Sequence, residues 1–124
     1  MEIMNLRNYA HIGDAVWELF VREYTVYQTN NLKTLHKITT ERVNSKYQAE
    51  MLSFIEPHLT GVEADISRRA RNCSIPVARR NNQHEYRQAT AFEALIGYWY
   101  LTDKNRYSEI ISLINNEFFN GITP

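Results

Sequence analysis

A chain of 124 residues has room for one compact domain, read here as a single unit over residues 1–124, and folding at this length buries roughly two-thirds of the unfolded surface. Fourteen basic and fourteen acidic residues give zero net charge, and 44% hydrophobic residues are too many for a disordered chain. The single Cys73 excludes an internal disulfide, no run approaches the ~20 apolar residues of a membrane span, and the start MEIMNLRNYAHIGD has no signal-peptide character. A cytoplasmic protein with no membrane association is expected.

The elements are helical throughout. From Tyr9 to Tyr27, the residues Ile12, Ala15, Val16, Leu19, Phe20 and Tyr24, with Val26 and Tyr27 beyond, recur at steps of three and four, the stripe of a buried helix. Asn30-Asn31 has turn character, and Leu32–His36 reads as a short helical piece. A second long helix is predicted to start after Thr39 or Thr40 as N-cap, with Val43, Tyr47, Met51, Leu52 and Ile55 as its stripe and Pro57 near its end. Gly61 opens a helix running to Asn72, lined by Val62, Ile66 and Ala70. Residues 73–83, with Pro76 and Asn81-Asn82, have no clean period and read as a loop. His84–Leu101 and Asn105–Phe119 give the last two helices, and no strand is predicted: the fold class is all-α.

Charge is unevenly spread along these elements. Between Ser67 and Arg87 lie Arg68, Arg69, Arg71, Arg79, Arg80 and Arg87 against Glu85 alone, a local charge of +5, while the rest of the chain carries eight basic and thirteen acidic residues. Arginine suits bidentate phosphate contact, so this segment is a candidate anion-binding face, with a solvated loop as the plainer alternative.

Two carboxylates stand in apolar surroundings. Asp14 sits in Ile12-Gly13-Asp14-Ala15-Val16, and Glu93 in Phe92-Glu93-Ala94-Leu95-Ile96-Gly97 is the only charge between Arg87 and Asp103. A buried carboxylate is costly unless paired or bound to a cation. Two of them meeting in one place call for a divalent cation or a retained proton, and oxygen ligands point to Mg²⁺ first and Mn²⁺ second. Two readings of Asp14 stay open: metal ligand, or N-cap of a helix starting at Ala15. Glu18, one turn after Asp14, is an accessory ligand candidate, although Arg22 at i+4 makes it the better surface ion pair. Glu50 is a second accessory candidate. The four histidines lack zinc-ligand spacing, and Tyr9, Trp17, Trp99 and Tyr100 follow helix spacing and read as packing residues.

The two carboxylate segments, in this order and with helical spacing between them, resemble the two metal-site segments of the ribonuclease III catalytic domain. Arg71-Asn72 followed by the basic segment, and Tyr86-Arg87-Gln88-Ala89-Thr90 leading into the glutamate helix, are similar to the short subgroup with that domain alone, Mini-ribonuclease III. The resemblance implies a homodimeric helical bundle that hydrolyses double-stranded RNA endonucleolytically with Mg²⁺. Precursor 23S ribosomal RNA would be the substrate, with a ribosomal protein shaping it. Asp14 and Glu93 would be catalytic metal ligands, and Arg68, Arg69, Arg71, Arg79, Arg80 and Arg87 would grip RNA. Ala10 and Thr90 stand where the longer enzymes carry two further carboxylates, so water, the Thr90 hydroxyl and substrate phosphate would fill the coordination shell. Those same two residues keep a second reading open, a non-catalytic RNA-binding or ribosome-assembly module. Trp17 and Phe20 exceed what one apolar stripe needs, which places them under a partner chain or deeper in the monomer core.

Overall fold

The computed structural model describes residues 5–73 and 83–119, and every regular element among them is helical. Helix α1 (Leu6–Thr25) starts at Asn5, whose side chain accepts from the Arg7 amide at 2.9 Å. Helix α2 (Leu32–Val43) and helix α3 (Ser45–Ile55) follow, then a 3-10 turn at Glu56–His58, α4 (Gly61–Arg71), α5 (Gln83–Thr102) and α6 (Lys104–Phe118).

The predicted single helix from Thr39 or Thr40 through the Ile55 stripe is in fact the end of α2 and all of α3. Asn44, with extended backbone, breaks the run and caps α3 by accepting from the Tyr47 amide at 2.8 Å. Neither threonine is a cap. Thr39 is buried with its hydroxyl 2.8 Å from that of Thr25, and Thr40 donates to the His36 carbonyl inside α2. Val26 and Tyr27 fall past the end of α1 and are exposed, as is Leu19 on its outer face.

Helix α5 is the central element and packs against α1, α3, α4 and α6. Its buried residues (Ala89, Ala91, Phe92, Ala94, Leu95, Ile96, Gly97 and Trp99) lie all around it, as expected of a helix enclosed by neighbours. Trp17 is fully buried, packs against Phe92 and Phe119, and donates its indole N–H to the Arg42 carbonyl at 2.9 Å. Phe20 lies beside it and meets Phe119 edge to face. Trp17 therefore belongs to the monomer core and Phe20 packs against it, so these two side chains say nothing about a partner.

In α4 the buried stripe is Glu63, Ile66, Ser67 and Ala70, so Val62 is exposed and a carboxylate goes inside in its place. Glu63 completes a capping box with Thr60, accepts from the Trp99 indole at 2.8 Å, and takes Arg106 at 2.9 and 3.0 Å. Burial works to raise its pKa, but Arg106, the Thr60 amide and Trp99 outweigh it and hold the carboxyl below its usual range. That network ties the start of α4 to α5 and α6. Among the described residues, no helix is long and apolar enough to cross a membrane.

Candidate active site

The site is created where α1 crosses α5 at backbone contact. A Cβ on Gly13 would lie 1.8 Å from the Glu93 carbonyl oxygen, and one on Gly97 would lie 1.9 Å from that of Tyr9. Only two glycines facing each other's helix permit this approach. Asp14 follows Gly13 and Glu93 stands one turn before Gly97, so the crossing sets the two carboxyl groups against each other. Asp14 lies in the middle of α1, whose cap is Asn5, and the N-cap reading of Asp14 is thereby overturned.

The two carboxylates differ in environment. Asp14 is solvent-exposed, whereas Glu93 is largely enclosed. Burial first, and then the hydrogen bond and charge of Asp14, push the Glu93 carboxyl up to about 8, against a hydrogen bond from Gln48 that pulls it down. A carboxyl group that keeps its proton beside a second carboxyl group is the electrostatic complement of a divalent cation, which would return Glu93 to the ionised state. Among the described residues no third His, Cys, Asp or Glu joins them. This all-oxygen, two-carboxylate donor set fits Mg²⁺ or Mn²⁺, which keep several waters, and does not fit zinc.

The pair opens into a cleft of about 460 Å³ lined by α1, α5 and the end of α4. From α1 come Arg7, Ala10 and His11; from α5, Tyr86, Arg87 and Thr90; from α4 and beyond, Arg71 and Cys73. The Thr90 hydroxyl donates to the Tyr86 carbonyl at 3.0 Å, which leaves its oxygen lone pairs for a ligand in the cleft. Arg87 donates to the Arg71 and Cys73 carbonyls at 2.5 and 3.2 Å, so it also fastens α5 to the C-terminal end of α4. Arg71 lies 3.7 Å from Glu56 and reaches the same cleft.

The other candidates sit elsewhere. Arg68 and Arg69 share Asp65 at 2.5 and 3.9 Å on the exposed side of α4 and do not line the cleft. Glu18 faces Arg22 at 3.7 Å, in the ion pair that their spacing favours. Glu50 is exposed on α3 and is absent from the cleft lining. Arg79 and Arg80 lie outside the described residues.

Arg7, His11, Tyr86 and Gln48 were not among the candidates that the sequence offered. The first three are legible once the helices are known: one and two turns before Asp14 come His11 and Arg7, and two turns before Glu93 comes Tyr86. Gln48 comes from a third helix, and no local spacing reveals it.

A family model for the ribonuclease III domain matches residues 7–104. The chain is 44% identical to a "Mini-ribonuclease 3" of Gloeobacter violaceus, over 89% of this chain and 82% of that one. It is 35% identical to a "Mini-ribonuclease 3" of Clostridium tetani, over 91% and 78%. The fold resembles the crystal structure of a Fusobacterium nucleatum protein with a TM-score of 0.80 and 34% identity, covering 90% of this chain and 93% of that one.

Proposed function

Since the chain belongs to the ribonuclease III family and is an endoribonuclease, we propose that it cleaves double-stranded RNA at the Asp14–Glu93 cleft, with Mg²⁺ held by these two carboxylates. One observation carries the reading: a helix crossing made through two glycines sets two carboxyl groups together at the head of a cleft that arginines also line. Mn²⁺ is the natural substitute. When bound, the cation supplies Lewis-acid activation of the phosphodiester and of water.

The protein's own residues do the rest. Asp14 and Glu93 fix the position of the scissile phosphate relative to the helix crossing. Arg71, with Arg7 across the cleft, offers positive charge to the neighbouring backbone phosphates, and Thr90 offers a hydroxyl oxygen between them. Arg68, Arg69, Arg79, Arg80 and Arg87 belong to the same basic segment and extend the RNA-binding face by charge. A-form RNA is held through phosphate and 2′-hydroxyl contacts, so sequence preference is weak and substrate choice rests on RNA shape.

The biological substrate we assign is precursor 23S ribosomal RNA in the cytoplasm, with a ribosomal protein shaping it. The working unit is a homodimer, since one carboxylate pair serves one phosphodiester and a two-fold pair of sites matches the two strands of a duplex. The test is direct. Incubation with a labelled duplex RNA and its single strands, in Mg²⁺ and in chelator, should give cleavage of the duplex alone and only with the metal. Binding of the duplex without any cleavage in Mg²⁺ or Mn²⁺ would make this chain the RNA-binding module instead.

A further inference from the structure

The ribonuclease III resemblance offers two carboxylates where longer enzymes carry four, and the described structure shows what stands beside them. Gln48 is buried, at 2% exposure, on the face of α3 that packs against α5. Glu50, two residues on, points to nearly the opposite side of α3 and is exposed. The Gln48 side-chain amide does two things at once. Its Nε2 donates at 3.3 Å to the carbonyl of Val43, the last residue of α2, where the break at Asn44 ends the run of intrahelical bonds. From that face of α3, packed on α5, the amide also lies against the Glu93 carboxylate.

We propose that Gln48 is the positioning residue of the site: it holds the Glu93 carboxylate in the orientation that receives a divalent cation, and the α2–α3 break holds Gln48. This rests on the reading of the cleft as a cation site and adds a second layer to it. Glu93 projects from the central helix into the cleft, and its carboxyl neighbour, Asp14, repels it when both are charged. A donor at the back of the carboxylate is therefore the group that fixes its rotamer and turns it toward the cleft. Outer contacts of this type are generally worth ten- to a hundredfold in metal affinity. A purely structural Gln48, joining α2 to α3, would affect stability and nothing else.

Binding of Mn²⁺ alone, followed by calorimetry or by the spin resonance of the free ion, separates the two roles without reference to cleavage. Gln48→Met keeps the side chain's length and packing and removes the donor. It should fold and weaken Mn²⁺ binding about tenfold or more, while duplex RNA binding in chelator stays unchanged. Thr39→Val, which removes the buried Thr25–Thr39 hydrogen bond from the same helix α2, should lower the melting temperature and leave Mn²⁺ affinity alone. Should Gln48→Met fail to fold, Gln48→Asn, which keeps the amide but shortens its reach, is held to the same criterion. Mn²⁺ affinity within threefold of wild type in a folded Gln48 variant overturns the proposal. If the wild-type protein shows no Mn²⁺ site that Asp14→Asn removes, the cation reading of the cleft fails first and Gln48 falls with it.

Discussion

Glu63 is a buried carboxylate and Glu93 a largely enclosed one, and their opposite fates show how surroundings decide the charge state of one functional group. Glu63 is met by Arg106, Trp99 and the Thr60 amide, and these hold its carboxyl below the usual range. Its stabilisation is present above the ordinary carboxyl pKa and is lost as pH falls through the lowered value. Glu93 is met by Asp14 and is pushed up to about 8, so its neutral form is the one that burial favours. Its contribution runs the other way: present below about 4.5, the unfolded value, and lost as pH rises through about 8. In chelator, Glu93→Gln should therefore be increasingly more stable than wild type as pH rises from 5 to 8, by an amount on the order of a few kcal/mol. Mg²⁺ should narrow that gap by stabilising the wild type alone. Thermal melts of both proteins across this range check it; a difference that does not change with pH would mean that Glu93 ionises freely in the cleft. The sequence could pick out Asp14 and Glu93 because a charge in an apolar helix segment is a local anomaly. It could not see the internal Glu63, because the Val62-Ile66-Ala70 pattern is apolar too and the compensating Arg106 lies 43 residues away.

At the scale of elements, α1 and α5 carry the site, and their crossing has almost no tolerance for added volume. Gly13→Ala or Gly97→Ala would drive a methyl group into a backbone carbonyl that belongs to a packed helix and cannot swing aside. The helices must separate, at a cost of roughly 3 kcal/mol or more, at the upper end of what overpacking usually costs. Each substitution should also depress cleavage more than stability alone accounts for, because the same movement parts Asp14 from Glu93. Turnover measured well below the melting temperature, beside a chemical denaturation curve, separates the two effects. Full turnover in a folded Gly97→Ala protein would show that the close crossing is not what aligns the carboxylates. Helices α1 and α6 were legible because their apolar residues keep a period near 3.6, and α5 because its long run lacks any Pro. Helix α4 was legible from Ile66 and Ala70, although Val62 in the same pattern faces outward. The α2–α3 boundary was not, since Val43, Tyr47, Met51 and Ile55 keep step across it and only the capping geometry of Asn44 reveals the break. Gly13 was legible as part of a motif and illegible as a contact, because a glycine in a helix announces a close approach only once its neighbour is known.

Over the whole molecule, zero net charge conceals a basic segment and an acidic remainder. RNA binding should consequently depend steeply on salt. Replacing Arg79 and Arg80 together with Ala should reduce the slope of log affinity against log salt by roughly one for each phosphate that the pair neutralises. Isotherms at several salt concentrations measure it, and an unchanged slope would mark these arginines as spectators. For the proposed homodimer, sedimentation should give roughly twice 14.6 kDa at micromolar concentration. A mixed dimer with one Asp14→Asn subunit should nick one strand of a duplex; paired cuts by a monomer in a single encounter would refute the arrangement. Trp17 and Phe20 provide no support for that dimer, for Trp17 fills the monomer's own core and Phe20 packs against it.

The most direct measurement concerns Asp14 itself. Asp14→Asn preserves the size and hydrogen-bonding capacity of an exposed side chain on a well-formed helix and removes only the charge that would hold the cation. Cleavage of duplex RNA in Mg²⁺ should vanish while melting temperature and RNA affinity in chelator stay at or above wild type. Retention of more than about a tenth of wild-type turnover, a change of less than roughly 1.4 kcal/mol in the barrier, would contradict the assignment of Asp14 and Glu93 as the cation-binding pair.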